Sequence, residues 1–205
     1  KEYYGPGEPI FAGNIDIPNM SAEDLRYHLK KLTDEGKIRR FDAGIYYFPK
    51  SGILDQEMPL GVDDVVIHKY INRKGKRVGY YSGHTFANRI GLSTQVPSST
   101  CIAIEAKRKV RLPEFPPIDL YFWKKENLEF GVIEKVISGY RVLITDMERT
   151  VCDAVKYRNK IGLDVCGEVI DNFLKKENRN ISLLHDYAQK LSVNKILTTY
   201  LETRL

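Results

Sequence analysis

Arg26, Tyr27, Lys30 and Lys31 recur at helical spacing, and Arg39 and Arg40 follow shortly after them. At 100° per residue, placing Leu25 at zero brings Leu29 and Leu32 within about 40° of it and sends Tyr27, Lys30 and Lys31 to the far side. Arg26 flanks that far face. Ammonium and guanidinium groups neutralise phosphates, and a good bidentate contact to a base edge is worth ~1–3 kcal/mol, so the chemistry on offer is contact with duplex DNA. Solvation is the competing explanation, because Glu23, Asp34 and Glu35 share the stretch and mixed charge on an exposed helix face is ordinarily only that.

Two further basic knots lie downstream. Lys69, Arg73, Lys74, Lys76 and Arg77 fall between His68 and Tyr80 without an acid, and Lys107, Arg108, Lys109 and Arg111 form the second. Lys74, Lys76 and Arg77 are candidates for additional phosphate contacts, although a solvated loop or strand edge is the commoner reason for such runs.

Enzymatic chemistry has weaker candidates. Glu105-Ala106-Lys107 has the Glu-x-Lys spacing of a metal-dependent nuclease, and Asp119 offers a second carboxylate for a divalent cation. The order is wrong, since in such nucleases the lone acid precedes the Glu-x-Lys strand. His28, His68, His84 and His185 are scattered, with no CxxC or HExxH spacing, and His28 is expected to border the helix core. Neither GxGxxG nor GxxxxGK[ST] occurs, so no catalytic residue, metal or cofactor is expected.

The elements that must position the basic residues are legible. Ser21 caps a helix, with Asp24 as a weak capping box, and Gly36 ends it. Lys37–Phe41, a turn at Asp42-Ala43-Gly44 and Ile45–Phe48 make a two-stranded hairpin, with Gly44 at positive φ. Helix plus hairpin is the ending of a winged helix. Such a domain has a helix ahead of Phe11–Ile15, and because the sequence opens at Lys1 rather than at methionine, part of that helix is expected to precede it.

Beyond a connector at Ser51–Pro59, Val62–Ile71 is predicted helical. A short helix follows, capped by Ser82 and closed by Gly91, with an extended segment to Pro97. Cys101–Ala106, Ile118–Trp123, Val132–Ile137 and Arg141–Thr145 read as strands of a small mixed sheet. Thr145 and Glu148 suggest a capping box for a helix that buries Val151, Ala154 and Val155, and helices over Leu163–Lys176, Ser182–Leu191 and Val193–Glu202 complete the pattern.

The 205 residues, at about 150 per domain, suit one large or two modest domains. The fold class expected is α+β: a winged helix-turn-helix over 1–52, then a mixed α/β domain over 53–205, β-rich across 100–145 and helical across 146–205. A net charge of +5 is too small to identify a nucleic-acid binder without regard to where the charges lie. Cys101, Cys152 and Cys166 are odd in number and widely spaced, which suits reduced core thiols. With no signal-peptide pattern and no apolar run near ~18 residues, a cytoplasmic protein without membrane contact is expected.

Three stretches carry a family resemblance: LRYHLKKLTDEGKIRRFDAGIYYFPK, GYYSGHTFANRIGLSTQVPSS and ITDMERTVCDAVKY. Together they resemble the AbiEi antitoxins of bacterial type IV toxin–antitoxin systems. The middle stretch is the most specific, through Thr94, Gln95, Val96 and Pro97. The resemblance implies a non-enzymatic antitoxin and autorepressor. Its N-terminal domain would bind operator DNA through Arg26, Tyr27, Lys30, Lys31, Arg39 and Arg40, and its C-terminal domain would counter a nucleotidyltransferase-like toxin, by a route that family analogy makes indirect. Two copies are expected on inverted or direct half-sites, because one wing covers too few base pairs for useful specificity. Asp146-Met147-Glu148-Arg149-Thr150 resembles the family's helix opening, with a cap and ion pair as its simplest role. A winged helix used for docking to another protein is the alternative from a different class.

Overall fold

Contacts divide the computed structural model, which describes residues 4–52, 56–73, 76–105 and 117–203, into two units between His68 and Lys69. The boundary expected near residue 52 falls inside the first unit, because Leu60 and Val65 bury against Ile45, with Phe11, Phe41 and Tyr47 around them.

In the first unit, β1 (Pro9–Phe11) is followed by a 3-10 turn at Ala12–Asn14, α1 (Ala22–Asp34), β2 (Arg39–Asp42) and β3 (Ile45–Tyr47). The strands form an antiparallel sheet in the order β1-β3-β2. Gly36 and Gly44 both take φ of +72°, one closing α1 and the other turning the hairpin, as their positions predict. Within the expected connector, β4 (Lys50–Ser51) pairs with β5 (Glu57–Met58). α2 (Val62–Val66) then runs into a π-helical turn, Ile67–Ile71.

The second unit begins with a separate two-stranded ribbon, β6 (Asn72–Arg73) and β7 (Lys76–Arg77). Next come β8 (Gly79–Tyr81), α3 (Gly83–Arg89), β9 (Thr100–Glu105), β10 (Ile118–Trp123), β11 (Val132–Ile137) and β12 (Tyr140–Thr145). A mixed sheet results, ordered β10-β9-β8-β12-β11, with β9/β10 and β8/β12 parallel and the other two pairings antiparallel. Its middle strand, β8, escapes sequence reading because three residues show no period. Its Gly79 passes so close to its neighbours that a Cβ there would lie 2.6 Å from the carbonyl oxygens of Ala103 and Tyr70.

Helices α4 (Met147–Lys156), α5 (Arg158–Ile161), α6 (Leu163–Leu174), α7 (Ile181–Lys190) and α8 (Asn194–Glu202) follow. α4 is the hub. Val151, Cys152, Ala154 and Val155 are buried with Val169, Ile170 and Phe173 of α6 and with Leu184 and Ala188 of α7. Its cap is Asp146, whose side chain accepts from the Arg149 amide at 2.7 Å, and not Thr145. Thr145 is still paired strand, opposite Val132, and its hydroxyl meets that of Thr150 at 2.8 Å. Glu148 likewise takes no part in a capping box; it is buried and accepts from the Asn180 amide at 2.8 Å.

Arg149 is fully buried. Its Nε donates to Asp153 Oδ1 at 2.7 Å, and its terminal nitrogens donate to the Phe130 carbonyl at 3.0 Å and to the Tyr80 hydroxyl at 3.2 Å. The rings of Trp123 and Phe130 lie 5.0 and 4.5 Å from the guanidinium carbon. Asp153 accepts at its other oxygen from Ser82, at 2.7 Å. Ser82 therefore stands at the start of α3 without capping it through its side chain. Burial pushes the Asp153 carboxyl up, against the pull of Arg149 and the Ser82 hydrogen bond.

Arg149→Met leaves Asp153 buried without its countercharge, so a loss of about 3–5 kcal/mol is expected in urea unfolding, largely recovered when Asp153→Leu is added. Alkaline titration checks the packing from another side. Burial, before all else, raises the Tyr70 and Tyr187 hydroxyls from 10.0 to about 12. The folded chain holds these protons more tightly than the unfolded one, so the associated stability is intact below about pH 10 and lost as pH rises through about 12. Phenolate absorbance should accordingly lag behind that of the denatured chain across this window.

Candidate nucleic-acid interface

The Ser21 hydroxyl accepts from the Asp24 amide at 3.0 Å while the Asp24 carboxylate accepts from the Ser21 amide at 3.2 Å, completing the capping box. The Ser21 hydroxyl also donates to that carboxylate at 2.6 Å, and these hydrogen bonds hold the Asp24 carboxyl below its ordinary range. Leu29 is buried, with Leu25 and Leu32 half-buried on the same stripe. Apolar burial thus fixes the rotation of α1 and turns the opposite face outward.

Arg26, Tyr27, Lys30 and Lys31 are all exposed on α1, Tyr27 at 65%. The acids of α1 stand at its ends. Glu23 and Asp24 occupy the first turn, with Asp24 engaged in the cap, and Asp34 closes the last; Glu35, just beyond it, is paired with Lys37 at 2.8 Å. Between them, Arg26, Lys30 and Lys31 form a stretch with no acid. His28 is exposed rather than bordering the core, because 60° of rotation from Leu25 carries it off the buried stripe, and its ring meets that of Tyr27 edge-on at 5.6 Å.

The hairpin divides its two arginines. Arg39 grips Glu57 of β5 through Nε at 2.9 Å and a terminal nitrogen at 2.6 Å, and donates to the Gly36 carbonyl at 2.8 Å. Its fork ties β2 to β5 and to the end of α1. Arg40 remains exposed, with a 3.4 Å contact from Nε to the Asp42 carbonyl. As neighbours on a strand the two point to opposite faces, and the Glu57 fork takes Arg39 while Arg40 is left to solvent. Glu57, the residue that decides this, carries no local signal in the sequence.

Of the additional phosphate candidates, Lys76 and Arg77 are exposed on β7, and Lys74 lies outside the described residues. Lys107, Arg108, Lys109 and Arg111 lie outside them too, so of the Glu-x-Lys pattern the described residues include Glu105 but not its lysine. Asp119 pairs in register with Cys101, four residues before Glu105. That offset sets the two residues about 13 Å apart along the strands, a poor placement for sharing one cation. Asp119 instead takes Lys160 at 3.1 Å and a hydrogen bond from Ser99. Among the described residues no group of three or more His, Cys, Asp or Glu side chains is placed to hold a metal ion. No helix among them is long and apolar enough to cross a membrane.

No family model matches this chain, and no curated protein does.

The Thr94-Gln95-Val96-Pro97 segment is pinned from α6. Glu168 accepts from the Thr94 amide at 2.7 Å, the Thr94 hydroxyl at 2.6 Å and the Ser93 hydroxyl at 2.7 Å, and these donors, Thr94 foremost, hold its carboxyl below the usual range. Asn88 donates to the Ser93 and Gln95 carbonyls at 3.2 and 3.1 Å, leaving Val96 the most exposed of the large apolar side chains described, at 84%. In the sequence Glu168 shows itself only as an acid on the flank of an amphipathic helix.

Ser21→Ala removes the cap hydroxyl that holds the first turn of α1. It should cost about 1 kcal/mol, read as a lowered thermal midpoint and faster hydrogen exchange at the Asp24 amide.

Proposed function

We propose that this protein is a DNA-binding autorepressor and antitoxin of the AbiEi kind, working in the cytoplasm without an enzymatic activity of its own. In this reading the first unit is the ending of a winged helix. α1 enters the major groove, and the Asp42-Ala43-Gly44 turn approaches the backbone or the minor groove beside it. The observation that carries the reading is the outward face of α1. Arg26, Lys30 and Lys31 project there beside Tyr27, free of intervening acids, from a helix that is capped at its first turn and held by its leucine stripe. Arg40 is the hairpin cation left to add a phosphate contact, while Arg39 holds the hairpin in place.

The second unit would counter a nucleotidyltransferase-like toxin, by an indirect route, while two copies occupy inverted or direct half-sites on the operator. The Thr94–Pro97 segment and the α4 opening carry the resemblance behind this half of the proposal. Asp146, Arg149 and Thr150 have structural work in the cap and the buried network, which accounts for that opening without a partner.

A gel-shift titration on the DNA upstream of its own gene, against an unrelated duplex of equal length at two salt concentrations, tests the proposal. Preference for its own DNA is expected. Lys30→Ala with Lys31→Ala should flatten the dependence of log K on log salt by about two. Equal or absent binding to the two duplexes, with no change in slope, would move the assignment to a protein-docking module.

A further inference from the structure

In the second unit, Asn72 pairs with Arg77 and Arg73 with Lys76 in a ribbon that joins no other strand among the described residues. A two-stranded ribbon has little stability by itself. Hydrogen bonds at its base hold it: the Val78 amide donates to the Ile71 carbonyl at 2.7 Å, and the Asn72 side chain reaches the Arg141 carbonyl at 3.4 Å. Lys76 and Arg77 are exposed, and as strand neighbours they face opposite ways. Among the described residues no acid forms an ion pair with either. Arg141, whose backbone the ribbon touches, has an 81% exposed side chain in a 3.4 Å pair with Glu134, itself 59% exposed, a pair of little strength.

A solvated loop needs neither paired strands nor cations on both faces. A flat anionic surface would engage only one face of such a ribbon. A duplex groove differs, because it is wide enough to admit a two-stranded ribbon and is walled by phosphates on both sides. A ribbon standing on edge in such a groove turns its two faces, and the cations on them, toward opposite walls.

We propose that the β6–β7 ribbon is a second DNA-contacting arm, carried by the second unit, that lies in a duplex groove and grips the flanking phosphates through Lys76 and Arg77, with Arg141 at its base. The partner, duplex DNA, rests on the DNA-binding reading above. Phosphate contacts fix position and carry no sequence information, so the arm adds affinity on any duplex and leaves the preference between duplexes to the first unit.

The test uses the full chain and fluorescence anisotropy across a salt series, on its own upstream duplex and on an unrelated one. Lys76→Ala with Arg77→Ala is compared with Lys125→Ala and Lys195→Ala, an equal loss of charge at exposed positions elsewhere on the second unit. Thermal melts confirm that both variants fold as the parent does. The arm predicts that the log K against log salt slope flattens by about 1.8 on both duplexes, at 0.9 per phosphate contact, with the ratio between them unchanged and the control slope intact. An unchanged slope, or an equal flattening by the control, overturns it. Should the unaltered chain bind both duplexes equally, the repressor reading fails, yet the slope on either duplex still decides the arm. Should it bind no duplex, both fail.

Discussion

A guanidinium sealed from water is tolerable only when its charge and its donors are met, and that requirement at Arg149 organises the second unit. Asp153, one turn along α4, supplies the countercharge, and Ser82 binds the second oxygen of that carboxylate. The Phe130 carbonyl and the Tyr80 hydroxyl take the remaining contacts, between the rings of Trp123 and Phe130. The central strand, the start of α3, the end of β10 and the approach to β11 therefore all meet at one buried pair on one helix. An apolar core of similar volume often matches such a pair in stability; the ion pair instead demands a single arrangement of its partners.

The first unit is built differently. Its core is small, centred on Ile45, Leu60 and Val65, and its polar ties lie at the surface. The capping box holds the front of α1, and the Arg39–Glu57 fork ties its end to the strands. Long basic side chains then project from a helix fixed at both ends, which suits the proposed encounter with phosphates. The fork also shows how one charge can be withdrawn from a basic cluster: Arg39 and Arg40 are neighbours in sequence, and only one is left to solvent and partners.

How much of this was legible follows from the range of the forces involved. α1, its cap, its glycine stop and the β2–β3 hairpin are local events, specified by residues a few positions apart. β9 to β12 and the helices α4, α6, α7 and α8 are long enough for their apolar periods to show and fall close to where those periods place them, whereas the four-residue α5 is too short to show one. The failures are also physical. β8 is too short to have a period, and the cap of α4 slipped from Thr145 to Asp146 because β12 needs Thr145 for its last pairing. His28 lay close enough to the leucine stripe by angle to suggest contact with the core, but too far for burial. Composition favours a boundary near residue 52, but Leu60 and Val65 pack on Ile45 and carry the first unit past it.

By itself, then, the sequence determined the mixed α+β character, the basic face of α1 and the helical end of the chain, because periodicity and capping act within one or two turns. Only the tertiary structure decided which charges are free. Arg39 is held by Glu57, Glu168 is spent on Ser93 and Thr94, Glu105 and Asp119 are kept apart by strand register, and Arg149 and Asp153 are drawn inward together. Each of those outcomes except the last depends on a partner far away in sequence or on strand pairing, and even the i, i+4 pair of Arg149 and Asp153 gives no sign of its burial until the sheet closes over it.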